Sequence, residues 1–162
     1  MVGTPAASAA SADDITLDQR LCLALYTASR AMTGRYRMAL GQLGLTYPQY
    51  LVMVLLWEEE TCSVGGIGQR LSLDSSTLSP LLKRLQAMGL VTRTRAVNDE
   101  RQMIIGLTQR GRDMQEDAAQ VTVDICEATG ISVAEQLELV ARLRELTLQL
   151  DASTARVAAA RS

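Results

Sequence analysis

The hydrophobic pattern of this chain changes period near residue 90, and this change restricts the fold more than any other feature. Before Gly89, apolar residues recur every three or four positions, over Val64–Leu71 and again after a short break. This spacing is typical of helices with one buried face. Two short runs follow, Leu90–Thr94 and Gln102–Leu107, and both are typical of strands. The pattern predicts two helices joined by a tight turn, followed by a β-hairpin with a charged tip.

Helical periodicity also flanks this region on both sides. Residues 17–43 predict one long helix capped by Thr16, and residues 48–60, which are apolar almost all round, predict a central buried helix. Two more helices are predicted over 108–129 and 132–150. The last helix has two apolar rows, which predicts that it is covered from both sides, as at a dimer interface. The expected fold is mainly α, with six helices and a small β-wing.

Composition excludes several classes of function. No apolar run reaches the roughly 18 residues of a membrane-spanning helix. Histidine is absent, which excludes His-based catalytic triads and His-containing metal sites. An aromatic content of 3% disfavours binding of single strands by base stacking. The first residues do not resemble a signal peptide, so we expect a cytoplasmic protein with reduced cysteines and without a metal or cofactor.

The net charge of −2 is unevenly distributed along the chain. Residues 70–112 carry eight basic and three acidic side chains, whereas the rest of the chain carries eight basic and fifteen acidic ones. A basic segment within an acidic protein is typical of a local anion-binding surface. A charged surface that is merely solvated would have the same composition, so charge alone leaves both interpretations open.

The basic segment coincides with the predicted helix pair and hairpin. The second helix of such a pair can enter the major groove of DNA, and the hairpin can act as a wing. We expect the tip residue Arg101, braced by Asp99, to reach a narrow minor groove. The alternative is an ordinary helical hairpin and β-hairpin with solvated charges. The side chains predicted to contact DNA are Asp74, Ser75, Ser76, Thr77, Ser79, Lys83, Arg84, Arg93, Arg95, Asp99 and Arg101.

Cys22 and three tyrosines form a second candidate site. Cys22 and Tyr26 are four residues apart on one helical face, Tyr36 lies further along the same predicted helix, and Tyr47 begins the next. Tyrosine hydroxyls are available to stabilise a thiolate. We expect the helix dipole to stabilise the Cys22 thiolate only weakly, because Cys22 is well inside the predicted helix. A buried, inert cysteine among core tyrosines is the alternative.

The two other cysteines differ in what they predict. Cys126 could resolve an oxidised Cys22 as a disulfide, within a subunit or between subunits. Cys62 precedes the short helix without an evident partner, and we expect it to be a bystander. An odd number of cysteines argues against a structural disulfide framework.

Four segments, taken in order, resemble the MarR family of winged-helix repressors, and within it the organic hydroperoxide resistance regulators. They are LCLALY at 21–26, GLTYPQYLVM at 44–53, LDSSTLSPLLKRL at 73–85 and DERQ at 99–102. The resemblance extends over about four-fifths of the chain. Ser76 departs from the glycine that is frequent at its position, and the residues before 16 are additional.

The resemblance implies a homodimer that binds a pseudo-palindromic operator in double-stranded DNA, with its interface formed by the first and last helices. It implies that Cys22 is the peroxide-reactive sensor, held by Tyr36 and Tyr47 across the interface, with Tyr26 lining the pocket. Cys126 lies where the two-cysteine branch of the family has its resolving thiol, which implies a disulfide between Cys22 and Cys126 of different subunits.

The predicted function is a redox-sensing repressor that binds operator DNA when reduced and releases it when an organic hydroperoxide oxidises Cys22. A repressor of the same family released by a small phenolic or acidic ligand, without redox chemistry, is the alternative. A thiol peroxidase is disfavoured because no Arg or Thr is placed beside Cys22 for peroxide activation, so we do not expect an enzyme. The expected organisation is a disordered tail (1–15), dimerisation helices (16–46 and 108–150), a winged helix-turn-helix region (47–107) and a C-terminal extension (151–162).

Overall fold

The computed structural model describes residues 15–96, 99 and 101–161, and it divides into two compact units, one ending at Arg112 and the other beginning at Asp113. The predicted tail over residues 1–15 lies outside the described residues except for Ile15. The helices are α1 (Leu21–Ala39), α2 (Tyr47–Glu59), α3 (Val64–Leu71), α4 (Ser75–Ala87), α5 (Gln109–Thr129) and α6 (Val133–Ala160), and the strands are β1 (Thr61–Ser63), β2 (Val91–Arg95) and β3 (Met103–Leu107). The six helices and the small sheet confirm the predicted fold class.

The first helical region is broken, and the prediction of one helix over residues 17–43 is wrong. A 3-10 turn at Leu17–Gln19 precedes α1, and another at Gly41–Leu43 follows it. Between the first turn and α1, Arg20 has extended backbone angles (φ −77°, ψ 124°). The turn is held by Gln19, whose side chain accepts a hydrogen bond from the backbone N–H of Thr16 at 3.1 Å. Apolar spacing continues through the break, so periodicity could not reveal it.

Helix α2 is the centre of the first unit, as its apolar sequence predicts. Pro48 lies in the first turn, where its missing N–H costs no helical hydrogen bond. The Gln49 side chain accepts the backbone N–H of Thr46 at 2.9 Å and closes the helix start. The buried side chains are Gln49, Tyr50, Val52, Met53, Leu55 and Leu56. Helix α2 therefore supplies much of the core of this unit.

The acidic end of α2 is exposed to solvent and paired with arginines. Arg70 contacts Glu59 at 2.7 Å and Glu58 at 3.8 Å, and Arg112 contacts Glu60 at 3.0 Å. These pairs are exposed, so each contributes little to stability. They offset the unfavourable position of three carboxylates at a helix C-terminus.

The sheet has three antiparallel strands in the order β1-β3-β2, whereas the sequence predicted only the β2–β3 hairpin. In the hairpin, Val91 pairs with Leu107 and Arg95 with Met103. On the other side of β3, Cys62 of β1 pairs with Ile105. Strand β1 has three residues, too few for an alternating pattern to be recognised. Its position is decided by the edge of β3 to which it adds hydrogen bonds.

The helix-turn-helix forms as the sequence predicts. Ser72, with φ 52°, makes the tight turn after α3, and Asp74 caps α4. Pro80 is inside α4, at its sixth residue, and not in the first turn. At the end of α4, the N–H of Gly89 donates to Gln86 O (2.9 Å) and the N–H of Leu90 donates to Leu85 O (3.1 Å). This is a Schellman motif, which explains why glycine, here at φ 72°, is needed at this position.

The second unit consists of the remainder of α5 and all of α6. Gly130 (φ 67°) ends α5, and Ser132 caps α6 together with Glu135. Helix α6 continues to Ala160, ten residues past the end expected near Leu150, because residues 151–160 are rich in alanine, the strongest helix former. None of its residues is buried. Within the described residues, no helix has the length and apolar character that a membrane crossing requires.

Candidate DNA interface and thiol site

Helix α4 has an apolar face in the core and a polar face in solvent. Leu78, Leu82 and Leu85 are buried. All the α4 side chains predicted to contact DNA are exposed, namely Ser75, Ser76, Thr77, Ser79, Lys83 and Arg84. The leucines pack α4 against the rest of the first unit. The serine and threonine hydroxyls near the N-terminus of α4 therefore stay available to a ligand.

Asp74 has a structural role at the start of α4. Its Oδ1 accepts the backbone N–H of Thr77 at 2.7 Å and the hydroxyl of Ser76 at 2.6 Å. These hydrogen bonds, with that of the Ser76 hydroxyl first, hold the pKa of Asp74 below its ordinary value. The carboxylate therefore caps the helix, and the Ser76 oxygen retains only its acceptor capacity toward DNA.

The wing is braced by backbone hydrogen bonds at its tip. Asp99 Oδ1 accepts the backbone N–H of Arg101 at 3.0 Å, and Asp99 O accepts the N–H of Gln102 at 2.9 Å. The predicted bracing of Arg101 by Asp99 is thus present, through the Arg101 backbone. Arg95 and Arg101 are exposed, whereas Arg93 is half-buried.

Cys22 is the second residue of α1 and is exposed to solvent. The expectation that it lies too deep in the helix to gain from the dipole is wrong, because the break at Arg20 moves the helix start to Leu21. The first turn of a helix presents unpaired N–H groups and a partial positive charge, which stabilise an anion such as a thiolate. Within one chain, Cys22 is therefore not a buried core cysteine.

The three predicted tyrosines lie in two separate groups in the chain. Tyr26 is 58% exposed, and its hydroxyl accepts a hydrogen bond from Arg30 at 3.0 Å. The rings of Tyr36 and Tyr47 are stacked, with centroids 4.4 Å apart. Burial, and secondarily the neighbouring Tyr50, raise the pKa of Tyr47, so this phenol remains a neutral hydrogen-bond donor.

The distance along α1 separates Cys22 from the second group. Tyr36 follows Cys22 by fourteen positions, which is about 21 Å along the helix axis at 1.5 Å per residue. Tyr26 can lie next to Cys22 in the same chain, at helical i, i+4 spacing. Tyr36 of the same chain cannot reach the thiol.

The other two thiols are both half-buried, and neither forms a disulfide. The Cys126 thiol donates to Gln136 Oε1, with 3.5 Å between sulfur and oxygen. Cys62 is on β1, where burial first, and then the carboxylate of Glu59, raise the pKa of its thiol. A raised pKa reduces the thiolate fraction and therefore the reactivity of Cys62.

Comparison with known proteins identifies the family. A family model described as transcriptional regulator SarA/Rot matches residues 36–118. An organic hydroperoxide resistance transcriptional regulator of Bacillus subtilis (strain 168) is 47% identical over 109 residues, which cover 67% of this chain and 74% of that protein. A MarR-family regulator from Rhodococcus sp. RHA1 superposes with a TM-score of 0.74 at 27% identity, covering 81% of this chain and 94% of that one. The chain belongs to the MarR family.

Among solved structures, AbfR of Staphylococcus epidermidis is 38% identical to this MarR chain, with a TM-score of 0.69 over 82% of this chain and 91% of its own. AbfR has been solved reduced and bound to DNA, and overoxidized and bound to DNA, each with a TM-score of 0.68. Its disulfide-formed state superposes less well, with a TM-score of 0.58. The relatives are transcriptional regulators, and the shared region includes the winged helix-turn-helix.

The sequence did not lead us to predict one contact of this MarR chain, that of Arg30 with Tyr26. Arg30 lies four residues after Tyr26, and its guanidinium carbon is 5.6 Å from the Tyr26 ring centroid. It therefore holds the tyrosine nearest to Cys22 by a hydrogen bond and a cation–π contact. The i, i+4 spacing of the two residues was the available signal.

Proposed function

We propose that this protein is a transcriptional repressor that binds operator DNA as a reduced homodimer and releases it when an organic hydroperoxide oxidises Cys22. The observation that carries the proposal is the position of Cys22, an exposed thiol in the first turn of α1. The relationship to an organic hydroperoxide resistance regulator supports the same assignment. The protein would act in the cytoplasm and would not turn over peroxide as an enzyme.

The thiol reaction uses groups that α1 supplies. The Cys22 thiolate attacks one peroxide oxygen, an S–O bond forms, and the O–O bond breaks. The sulfur becomes a sulfenic acid, and the departing alkoxide takes a proton to leave as an alcohol. The helix N-terminus favours the thiolate, and the exposed apolar side chain of the adjacent Leu21 favours an organic substituent over hydrogen peroxide.

A second copy of the chain would complete the thiol site. The stacked pair of Tyr36 and Tyr47 lies too far from Cys22 within one chain, so only another subunit can bring these hydroxyls to the sulfur. Neither α1 nor α6 contains a buried residue, although both carry large apolar side chains such as Leu21 and Leu137, which are 57% and 65% exposed. Large unpaired apolar faces on two helices are typical of an interface between subunits.

The exposed polar face of α4 supports major-groove binding, and the exposed Arg101 on the wing supports contact with the minor groove. In a symmetric dimer the two α4 helices would read two half-sites about 34–36 Å apart. A modest rearrangement of the subunits would change this spacing, so an interface that contains the sensor thiol can control DNA affinity.

Cys126 is our candidate for the resolving thiol. Its sulfur would attack the Cys22 sulfenic acid of the other subunit, forming the S–S bond and releasing water. The reaction would cost Cys126 its hydrogen bond to Gln136 and require local rearrangement of the α5–α6 corner. The disulfide-formed state described for AbfR is a precedent in a relative.

The decisive experiment is fluorescence anisotropy of the reduced protein on DNA from its own upstream region, before and after one equivalent of cumene hydroperoxide. We expect tight binding, release on oxidation and recovery with dithiothreitol. Cys22→Ser should bind and not respond, whereas the matched control Cys62→Ser should respond like the wild type. Release by peroxide in Cys22→Ser would refute the sensor assignment.

Three further outcomes test separate parts of the proposal. Cys126→Ser that releases DNA normally without forming a disulfide would refute only the resolving step. Wild-type protein that binds DNA and is indifferent to peroxide would favour a repressor controlled by a small ligand. Multiple turnover of peroxide with a thiol reductant would contradict the assignment as a non-enzyme.

A further inference from the structure

Helix α1 carries Cys22, Tyr26 and Arg30 in one row, because successive members of this set are four residues apart. Side chains on an α-helix lean toward its N-terminus, so Arg30 reaches back over Tyr26, and Tyr26 leans toward the turn that holds Cys22. The structure shows the first of these contacts, since Arg30 Nη1 donates to the Tyr26 hydroxyl oxygen at 3.0 Å. The row therefore leads from an arginine, through a phenol, toward the sensor thiol.

The hydrogen bond from Arg30 decides what the Tyr26 hydroxyl can still do. A phenol has one proton to donate and lone pairs with which to accept. Arg30 occupies the accepting side, and within the described part of the chain the Tyr26 proton has no acceptor. The side chain is also exposed, so a small molecule from solvent can reach this proton. The Tyr26 hydroxyl is thus held as a donor close to the turn with Cys22.

Arg30 forms no ion pair with any residue that the structure describes. None of the α1 residues is acidic, and the recorded ion pairs use Arg70 and Arg112. The positive charge of Arg30 is therefore directed at Tyr26, through the hydrogen bond and through the cation–π contact with its ring. If the phenol gives up its proton, the guanidinium faces a phenolate, and the hydrogen bond becomes stronger because both partners are then ionised.

We propose that Tyr26 donates the proton to the alkoxide that leaves when Cys22 attacks an organic hydroperoxide, and that Arg30 is the positioning residue for Tyr26. The inference rests on the proposed function and specifies the proton source of its thiol reaction. In the proposed dimer, Tyr36 and Tyr47 of another subunit act on the sulfur, whereas Tyr26 acts on the departing oxygen.

The step balances with the groups of α1 and water. The Cys22 thiolate bonds to the terminal peroxide oxygen, which keeps its hydrogen and becomes the sulfenic acid. The O–O bond breaks, and its electron pair leaves with the oxygen attached to the organic group. This oxygen takes the Tyr26 proton and departs as an alcohol, a favourable transfer because an alkoxide is a stronger base than a phenolate. Arg30 stabilises the phenolate until it regains a proton from water.

The first test compares two oxidants that differ in their need for a proton. Cumene hydroperoxide releases an alkoxide, whereas perbenzoic acid releases a carboxylate, which is stable without a proton near neutral pH. Both oxidants carry an aromatic ring, and both are attacked by the same thiolate. Samples of the full-length protein are quenched at known times and alkylated, and mass spectrometry of the Cys22 peptide gives the two rates. Their ratio cancels any change in the thiolate fraction of Cys22.

Tyr26→Phe should lower the ratio of the hydroperoxide rate to the peracid rate. A general acid contributes roughly 10²–10⁴-fold, and water competes with an exposed phenol, so we expect a fall of about a hundredfold. A role of Tyr26 in packing or in stabilising the thiolate would slow both oxidants alike and leave the ratio unchanged. A ratio within about threefold of the wild-type value therefore overturns the proposal.

The second test concerns Arg30. Arg30→Gln should lower the same ratio about tenfold, the effect of losing one charge-assisted hydrogen bond, and Arg30→Lys, which keeps the charge, should restore part of it. The matched control Arg37→Gln removes an equal charge from an exposed position of α1 and should keep the wild-type ratio. If Arg30→Gln and Arg37→Gln give the same ratio, Arg30 does not position the proton donor.

A double variant tests whether Arg30 acts through Tyr26. Added to Tyr26→Phe, Arg30→Gln should cause no further fall in the ratio, because the hydroxyl that it positions is already absent. A further fall would overturn the positioning role and assign Arg30 directly to the oxidant.

Failure of the proposed function would look different. DNA that stays bound after Cys22 has been oxidised would contradict the repressor mechanism, while a lowered ratio in Tyr26→Phe would still support the proton donor. A wild-type Cys22 that reacts with perbenzoic acid and not with cumene hydroperoxide would overturn both.

Discussion

Gly111, the third residue of α5, is the position where adding one methyl group should damage this protein most clearly. A Cβ there would overlap the backbone carbonyl oxygen of Leu90 and lie 3.2 Å from Leu107 Cδ2. The Gly111 carbonyl also accepts the indole N–H of Trp57 at 2.8 Å. Because the obstacle is backbone, which cannot rotate away, either the start of α5 or the segment between α4 and β2 must move.

Three contributions decide how Gly111→Ala changes the free energy of unfolding, one stabilising and two destabilising. Alanine gains about 1 kcal/mol over glycine in a helix. Losing the hydrogen bond from Trp57 costs about 1 kcal/mol, which cancels that gain. Overpacking costs roughly 1–3 kcal/mol, and a backbone obstacle places the value at the upper end. We therefore expect a net loss of about 2–3 kcal/mol, or roughly 5–10 °C in Tm.

Urea denaturation followed by the fluorescence of Trp57, the single tryptophan, reports directly on this contact. Protein concentration is held constant, since association would shift the apparent stability. The matched control is Gly34→Ala in α1, where a Cβ meets nothing within 4 Å, and it should be neutral or stabilising by up to about 1 kcal/mol. If Gly111→Ala is as stable as Gly34→Ala, the packing argument is wrong.

Three further predictions concern the sites. Tyr47→Phe keeps the ring stacked on Tyr36 but removes the phenol donor, so Cys22 oxidation should slow in stopped-flow measurements with cumene hydroperoxide if the proposed dimer brings Tyr47 to the thiol; an unchanged rate would remove Tyr47 from the thiol site. Cys62→Ser should leave peroxide-induced DNA release intact, because the raised pKa keeps Cys62 a thiol; a slower response in anisotropy would contradict this. The lowered pKa of Asp74 stabilises the fold above the unfolded value of about 4, and this contribution is lost as pH falls through the lower folded value. Wild-type protein should therefore lose stability in acid more steeply than Asp74→Asn in urea titrations at pH 5 to 2; parallel curves would refute the role of the cap.

The sequence predicted the winged helix-turn-helix closely because its signals are local. Asp74 caps α4, Gly89 closes it, and the alternating runs on either side of residues 96–102 pair as a hairpin. Each of these signals lies within a few consecutive residues, even where the strands that it predicts pair over up to sixteen positions. The family resemblance depended on the same short segments, and the comparisons confirmed it.

The environment of Cys22 was not predictable in the same way. Its distance from the helix start depends on the extended backbone at Arg20, and apolar periodicity runs through that break without interruption. The half-buried position of Arg93 depends on the register of β2 against β3, which places residue 93 on the core face. Exposure of a thiol and burial of an arginine are both results of packing.

The sequence by itself determined where α4 begins and ends, at Asp74 and Gly89, which helix faces are apolar, and where positive charge is concentrated, since these follow from side-chain chemistry within one or two turns. Tertiary structure alone decided that β1 joins the sheet, that Arg93 Nε lies buried, and that the rings of Tyr36 and Tyr47 stack. These contacts join residues separated by eleven to more than forty positions. Contacts between segments so far apart form only when the whole core packs, and no local pattern encodes them.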